Sequence, residues 1–304
     1  MSYKTRDEVF NIFNQLKSRY PTKMTSEVIG KTVEGRNIML YKIGNPHGGK
    51  VLLEACIHGG EIMNAELLHQ YAKWLLEEKE PTASAILNYN YTLIIPIVNI
   101  DKYQITRKNA NGVNLNRNFP AGWENAPSDS ASADYRGSTP LSEPETQAID
   151  GVFTREKPFA FADLHTGLEP YVNRCPPMTS QQKSYASYLQ NKYAELARQR
   201  GVTVWDTGES LLRGIAPNQA MSRGIWGFSV ETHPTEYNPP PSADEVPTVY
   251  LPRALPLFIV LSEECAVVTK SLSTTLGVVL GFMLISSFIT EYCKSVIKEV
   301  KTIR

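Results

Sequence analysis

The chain of 304 residues has 31 basic and 31 acidic side chains, so its formal net charge is zero, and 42% of its residues are hydrophobic. The length permits one large core or two smaller ones, and we expect no nucleic-acid partner because no basic excess or dense basic run with interleaved aromatics is present in the main body. The four cysteines are scattered and form no CxxC pair, which excludes a cysteine-based zinc cluster and disfavours a disulfide framework.

The first residues predict an amphipathic helix and not a signal peptide. Phe10, Phe13 and Leu16 recur at helical spacing, and charged residues begin at Lys4, where a signal peptide needs an uninterrupted apolar stretch.

A strand, helix, strand order follows. The apolar runs at 50–57 and 91–99 predict buried strands, and the apolar face of 62–79 predicts a helix between them. Farther along we predict strands at 159–165, 202–205 and 227–231, helices at 143–155, 180–200 and 255–268, and surface loops at 120–141 and 234–252.

This order predicts an α/β fold. We expect a single catalytic domain over residues 1–270, with a mixed, mostly parallel central sheet flanked by helices, followed by a C-terminal hydrophobic helix.

Residues 271–290 contain no charge, and about 20 helical residues at roughly 1.5 Å each match the thickness of a bilayer core. We predict a single-pass membrane anchor here, with a basic tail at 291–304; a buried helix of the main domain is the alternative. The basic flank favours a cytoplasmic tail, which would put the body outside, whereas the missing signal peptide favours a body inside. Both orientations stay open.

Two of the five histidines lie where open α/β sheets place their ligand sites. His58 and His165 each end an apolar strand, whereas His69 falls on a polar helix face and is expected to be solvated. A single histidine at a strand end is more often a hydrogen-bonded structural residue. Glu61, three residues after His58, makes a metal site the stronger interpretation.

Zinc chemistry explains the sequence HGGE at 58–61. A catalytic zinc takes three protein ligands, of which two histidines and one glutamate are a known set. Gly59 and Gly60 permit the sharp turn that lets His58 and Glu61 reach one ion. We therefore predict a single zinc ion held by His58, Glu61 and His165.

Four motifs extend this interpretation. The segments TRKNANGVNLNRNFP (106–120), YRGSTPLSEPET (135–146), DLHTG (163–167) and FSVETHP (228–234) resemble, in order and spacing, the zinc carboxypeptidase A-like metallopeptidase family. The resemblance covers most of residues 1–270 and implies hydrolysis of C-terminal residues from peptides.

The resemblance also implies roles for single residues. Glu231 matches the general base that takes a proton from the metal-activated water. Arg107 matches the arginine that stabilises the oxyanion and contacts the substrate. Asn116 and Arg117 match the pair that binds the terminal carboxylate of the peptide.

The sequence departs from the family at several positions. Asn114 stands where the family often has an aspartate that orients the first metal histidine. A mobile tyrosine of many members has no counterpart in 208–231, and no acid lies near Pro217, so a preference for C-terminal Lys or Arg is not supported. Arg213 favours instead an acidic C-terminal residue.

Two alternatives to peptide carboxypeptidase activity stay open. Relatives with the same metal site cut γ-D-glutamyl bonds of cell-wall peptides or remove acyl groups from amino acids. A non-catalytic relative would bind peptide tails without cutting them. The oligomeric state is not indicated by the sequence.

Overall fold

The structure, a computed structural model, describes residues 2–168, 171–174, 179–209, 214–234 and 241–276. In this part of the chain the α-helices are α1 (Arg6–Arg19), α2 (Met63–Glu77), α3 (Pro81–Tyr89), α4 (Pro144–Glu156), α5 (Ser180–Gln199), α6 (Ala216–Ser222) and α7 (Leu251–Leu276). The strands are β1 (Met24–Lys31), β2 (Asn37–Gly44), β3 (Gly49–Ala55), β4 (Asn90–Ile95), β5 (Ala160–His165), β6 (Tyr171–Arg174), β7 (Asp206–Glu209) and β8 (Trp226–Glu231).

The strands form one sheet in the order β1-β2-β4-β3-β5-β8-β6-β7. The central pairs β4/β3, β3/β5 and β5/β8 are parallel, as is β6/β7, and the pairs β1/β2, β2/β4 and β8/β6 are antiparallel. The predicted mixed, mostly parallel sheet flanked by helices is therefore confirmed.

The central strands bring three chain segments to the same edge of the sheet. Because β3, β5 and β8 are parallel, their carboxyl ends meet there: β3 ends at Ala55, β5 at His165 and β8 at Glu231. All residues of β5 are buried, as expected for a strand covered on both faces. This edge is where open α/β sheets bind ligands.

Helix α1 has the strong local signals that its sequence suggests. Thr5 and Glu8 form a capping box at its N-terminus. Phe13 on its buried face stacks on Tyr41 with ring centroids 4.6 Å apart.

The predicted solvation of His69 was wrong, because this ring is buried near Phe13 and lies 3.3 Å from a carboxylate oxygen of Glu66.

Two predicted elements differ from the structure. Residues 202–205 do not form a strand: the Trp205 amide donates to the Tyr193 hydroxyl of α5 at 2.8 Å, and pairing with β6 begins only at Asp206. In the second predicted loop, helical turns cover Ala243–Tyr250 and α7 begins at Leu251. The loop at 120–141 is irregular, as expected, apart from one short turn at Trp123–Asn125.

The C-terminal prediction is tested only in part. The helix expected at 255–268 is present and extends over Leu251–Leu276. Most of the predicted anchor at 271–290, and all of the basic tail at 291–304, lie outside the described residues. Among the helices that are described, none has the length and apolar character needed to cross a membrane.

Removal of the Phe161 ring should destabilise the sheet that positions the site. Phe161 is fully buried in β5, and its ring packs edge-on against Phe153 of α4 at a centroid distance of 4.9 Å. Phe161→Ala is expected to lower the free energy of unfolding by about 3–5 kcal/mol through the cavity that it leaves, as measured by urea denaturation. Ile105→Ala, at a 69% exposed side chain, is the control. Equal losses in the two variants would contradict this packing.

Candidate metal centre

A tight corner between β3 and α2 carries two of the predicted metal ligands. The Glu61 amide donates to the His58 carbonyl at 3.2 Å, so the chain reverses within three residues. The Gly59 carbonyl accepts from the Gln104 amide at 2.7 Å, and a Cβ at Gly59 would lie only 2.2 Å from the Lys102 carbonyl oxygen. Gly59 is therefore required by the close approach of segment 102–106.

The three predicted ligands converge on one point. His58 Nδ1 lies 2.6 Å from Glu61 Oε1, and His165 Nδ1 lies 3.0 Å from Glu61 Oε2. One donor atom from each residue lies within 4.8 Å of the others, and all three side chains are buried. Two imidazole nitrogens and one carboxylate form a set suited to one zinc ion with a coordination place left for solvent.

The outer nitrogen of each histidine is held by a protein acceptor. His58 Nε2 lies 3.1 Å from Asn114 Oδ1, and His165 Nε2 lies 2.7 Å from Asp163 Oδ2. Each Nε2–H donates to an oxygen that cannot donate back, so Nδ1, which faces Glu61, is the nitrogen that can bind a cation once it carries no proton. This arrangement orients both rings for a cation.

The charges of the cluster also favour a cation. Burial raises the pKa of Glu61, but His58 and His165 lower it more strongly, to about 2. Burial lowers the pKa of His58. Burial lowers the pKa of His165 as well, but Asp163 and Glu61 outweigh it and raise that pKa well above its usual range. The site therefore concentrates carboxylate charge around two imidazoles, and a metal ion would displace a proton from His165.

Glu231 lies directly beside this cluster. In the parallel register of β5 and β8, His165 pairs with Glu231. Glu231 Oε2 is buried and has no hydrogen-bond partner among the described residues. Burial raises the pKa of Glu231 to about 7, with Glu61 adding to the rise and His165 opposing it. A carboxyl group that titrates near neutral pH is suited to accept and return a proton.

The two predicted arginines approach from the segment that follows β4. Arg107 Nη1 lies 3.2 Å from His58 Nδ1 and 3.8 Å from Glu61 Oε1. Arg117 is buried, and its Nη2 donates to Asp134 Oδ2 at 3.2 Å. The structure thus places the Arg107 guanidinium against two of the metal ligands and the Arg117 guanidinium against Asp134, which Arg107 also approaches.

Asn116 is buried on the other side of His165. Its Nδ2 donates to Asp163 Oδ2 at 3.0 Å and lies 3.1 Å from His165 Nε2, and its Oδ1 accepts from the Ala216 amide at 2.8 Å. In this structure the amide supports the Asp163–His165 pair. Its role toward a substrate carboxylate stays a prediction. Arg213 lies outside the described residues.

Three acids near the site were missed by sequence reasoning. Asp163 precedes His165 by two residues on the same face of β5, a spacing that could have revealed it. Glu54 pairs in register with Asp163, is fully buried, and has a pKa raised well above its usual range, first by burial and then by Asp163. Asp134 lies in the irregular segment 120–141, where the sequence gives no signal.

Comparison with known proteins agrees with this geometry. Residues 9–241 match the model of a family described as zinc carboxypeptidase. The chain belongs to the zinc carboxypeptidase family. The resemblance predicted from the four motifs is confirmed, and so is the expectation of a site for one zinc ion.

Individual zinc carboxypeptidases are similar over part of their length. The chain is 29% identical to carboxypeptidase A1 of Mus musculus over 188 residues, which are 54% of this chain and 45% of that protein. The chain spans less than half the length of the curated relatives that it matches first.

Solved structures of the family share the fold. Bovine thrombin-activatable fibrinolysis inhibitor, in complex with tick carboxypeptidase inhibitor, superposes with a TM-score of 0.76 at 20% identity, covering 87% of this chain and 97% of that chain. The murein-tripeptide amidase of Escherichia coli O157 gives a TM-score of 0.51 at 22% identity, covering 78% and 91%.

A methyl group at Gly59 should disturb the corner. Gly59→Ala forces the backbone away from the Lys102 carbonyl and moves His58 relative to Glu61. The zinc dissociation constant should therefore rise at least about tenfold, as measured by a chelator competition assay. Gly151→Ala in α4 is the control, because a Cβ there meets nothing within 4 Å. Unchanged zinc affinity in Gly59→Ala would show that the corner tolerates displacement.

The raised pKa of Glu231 should appear in the stability of the metal-free chain. The pKa of about 7 means that the folded chain keeps a proton on Glu231 that the unfolded chain releases near pH 4.5. Stability relative to Glu231→Gln should therefore fall as the pH rises from about 5 to 7, by up to about 3 kcal/mol, and then level off. Urea denaturation at several pH values measures this difference.

The exposed Glu263 provides the control for this pH series. Glu263→Gln should run parallel to the wild-type chain across the whole range. Parallel curves for the wild type and Glu231→Gln would instead mean that Glu231 ionises as an ordinary carboxyl group.

Proposed function

We propose that this chain is a zinc-dependent metallocarboxypeptidase that releases C-terminal residues from peptides. The observation that supports this most is the convergence of His58, Glu61 and His165, with Glu231 in register beside His165. A structural cluster would need no further acid with a neutral-range pKa, whereas peptide hydrolysis requires a base at this point.

The division of chemical roles follows from the geometry. Zinc held by His58, Glu61 and His165 would polarise the scissile carbonyl and activate a water molecule. Glu231 accepts the proton of the attacking water through Oε2, which has no hydrogen-bond partner in the described part of the chain, and passes that proton to the leaving amine. Arg107, which lies 3.2 Å from His58, stabilises the negative charge that develops on the carbonyl oxygen.

Exopeptidase specificity requires a group that binds the free carboxylate of the peptide. Arg117, together with Arg107, is proposed for this task, since a guanidinium fork binds a carboxylate through two parallel hydrogen bonds. Arg117 stays charged even though burial lowers its pKa, because Asp134 opposes that shift. Asn116 is proposed to assist once a substrate is bound.

The preference for the terminal residue is a separate proposal. No acid lies near Pro217 in the sequence, so Lys and Arg are not favoured at the substrate C-terminus. Arg213 would favour an acidic residue by charge complementarity.

A membrane location is also proposed. The support is the uncharged stretch at 271–290 in the sequence, with the basic tail at 291–304 after it. A single-pass anchor would hold the catalytic body near peptides of the envelope, on a side of the membrane that stays open.

Peptides with free and amidated C-termini test the proposed function directly. The zinc-loaded chain should release one residue at a time from the free acids and leave the amides intact. Glu231→Gln should keep one zinc ion and lose about a thousandfold in kcat, the middle of the usual range for a removed general base. Glu263→Gln should retain the wild-type rate. Mass spectrometry of the products and zinc analysis provide both readouts.

Other outcomes identify the alternatives. Cleavage of muropeptides alone would assign the chain to cell-wall hydrolysis. The similar fold of the murein-tripeptide amidase is the observation that favours this alternative. Cleavage of acylated amino acids alone would make it a deacylase. Bound zinc without any turnover would indicate a protein that binds peptide tails.

A further inference from the structure

The side-chain amide of Asn114 connects the metal ligand His58 to the carboxylate of Asp134 in segment 120–141. Asn114 is fully buried, its Oδ1 lies 3.1 Å from His58 Nε2, and its Nδ2 donates to Asp134 Oδ1 at 2.8 Å. The amide can have only one orientation, because Oδ1 also accepts from the Asn116 backbone amide at 3.0 Å. His58, Asn114 and Asp134 therefore form a continuous hydrogen-bonded chain.

The position of Asp134 is fixed by its surroundings. The Asn114 amide donates to the Tyr135 carbonyl at 2.8 Å, which ties the two segments together next to Asp134. The Asp134 amide donates to the Ser132 hydroxyl at 3.1 Å, and its Oδ2 accepts from Arg117 Nη2. Both carboxylate oxygens of Asp134 thus have a partner, Asn114 on Oδ1 and Arg117 on Oδ2.

Asp134 is charged in the folded chain. Burial raises the pKa of this carboxyl, but the Arg117 and Arg107 guanidinium groups outweigh it, so that the pKa lies below its usual range. Arg107 Nη2 lies 3.6 Å from Asp134 Oδ1. The carboxylate is thus available to polarise Asn114 at any pH at which the protein would act.

We propose that Asp134 is a positioning residue of the metal site, which supplies through the Asn114 amide the negative charge that strengthens His58 as a ligand. Hydrogen bonds in a chain polarise one another, so a carboxylate on Nδ2 makes Oδ1 a better acceptor for the His58 Nε2–H. A stronger acceptor there makes Nδ1 more basic toward a metal ion. Asp134 thereby replaces the carboxylate that Asn114 lacks. The inference rests on the proposed zinc site but not on the proposed peptidase activity.

Zinc affinity of the full chain without substrate is the appropriate measurement. Asp134→Asn removes the charge and keeps the side-chain size, and it should raise the zinc dissociation constant about tenfold in a chelator competition assay, the lower end for a lost outer partner. Asp129→Asn is the matched control in the same segment, because Asp129 is exposed and, within the described part of the chain, its side chain accepts only from the Ala131 amide. This control should bind zinc as the wild type does.

A relocation variant separates charge from loop structure. The double variant Asn114→Asp with Asp134→Asn returns the carboxylate to position 114, directly against His58, with the same net charge as the wild type. It should recover zinc affinity to within about twofold of the wild type, whereas Asn114→Asp alone places two carboxylates in contact and should not improve binding. Thermal unfolding of the metal-free proteins verifies that each variant folds.

Two results would overturn the inference. Wild-type zinc affinity in Asp134→Asn would mean that Asp134 only holds the arginines. Weakened binding that the folded double variant does not recover would mean that loop structure, and not charge, is responsible. Normal zinc binding without peptide cleavage would refute the proposed function alone, whereas a wild-type chain that binds no zinc would refute both.

Discussion

The rest of the structure depends on one constraint. Two imidazoles must contact one carboxylate at the carboxyl ends of the parallel central strands. Both Nδ1 atoms face Glu61, and this requires the Gly59 corner on one side and the Asp163 and Asn114 acceptors on the other. Burying such a cluster without a cation is unfavourable, since it places anionic charge in a region of low dielectric. The donor set and its electrostatics therefore point to the same occupant as the family relationship.

The site has two different kinds of support. His165 and Glu231 are fixed by the sheet, where neighbouring backbone hydrogen bonds hold them in place. Arg107, Arg117 and Asp134 lie outside the sheet, Arg117 at the end of the short helical turn Leu115–Arg117, and Asp134 is in contact with both guanidinium groups. This division places the group proposed to transfer the proton on the rigid part of the molecule and the groups proposed to recognise substrate on segments that vary more readily.

The four central strands β4, β3, β5 and β8 and all three metal ligands were predictable, because buried parallel strands are continuous apolar runs and the ligands stand at or just after their ends. The outer strands were missed, since β1 and β2 have half-exposed residues that include Lys and Asn, and β6 and β7 have only four residues each. Residues 202–205 resemble a strand in their apolar composition. The segment instead lies beside α5, where the Trp205 amide donates to the Tyr193 hydroxyl. Asp134 could not be predicted, because its position depends on how two loops meet. Glu54 was hidden in an apolar run.

The pairing of His165 with Glu231 across β5 and β8 has a consequence for how this family can diversify. Side chains alternate faces along a strand, so a slip of one position between the two strands would turn either His165 or the proposed base, Glu231, away from the site. The distance between His165 and Glu231 therefore cannot change gradually. Changes in substrate range must come from the surrounding segments. The relative position of the two side chains is kept or lost as a whole, because the strand register sets it.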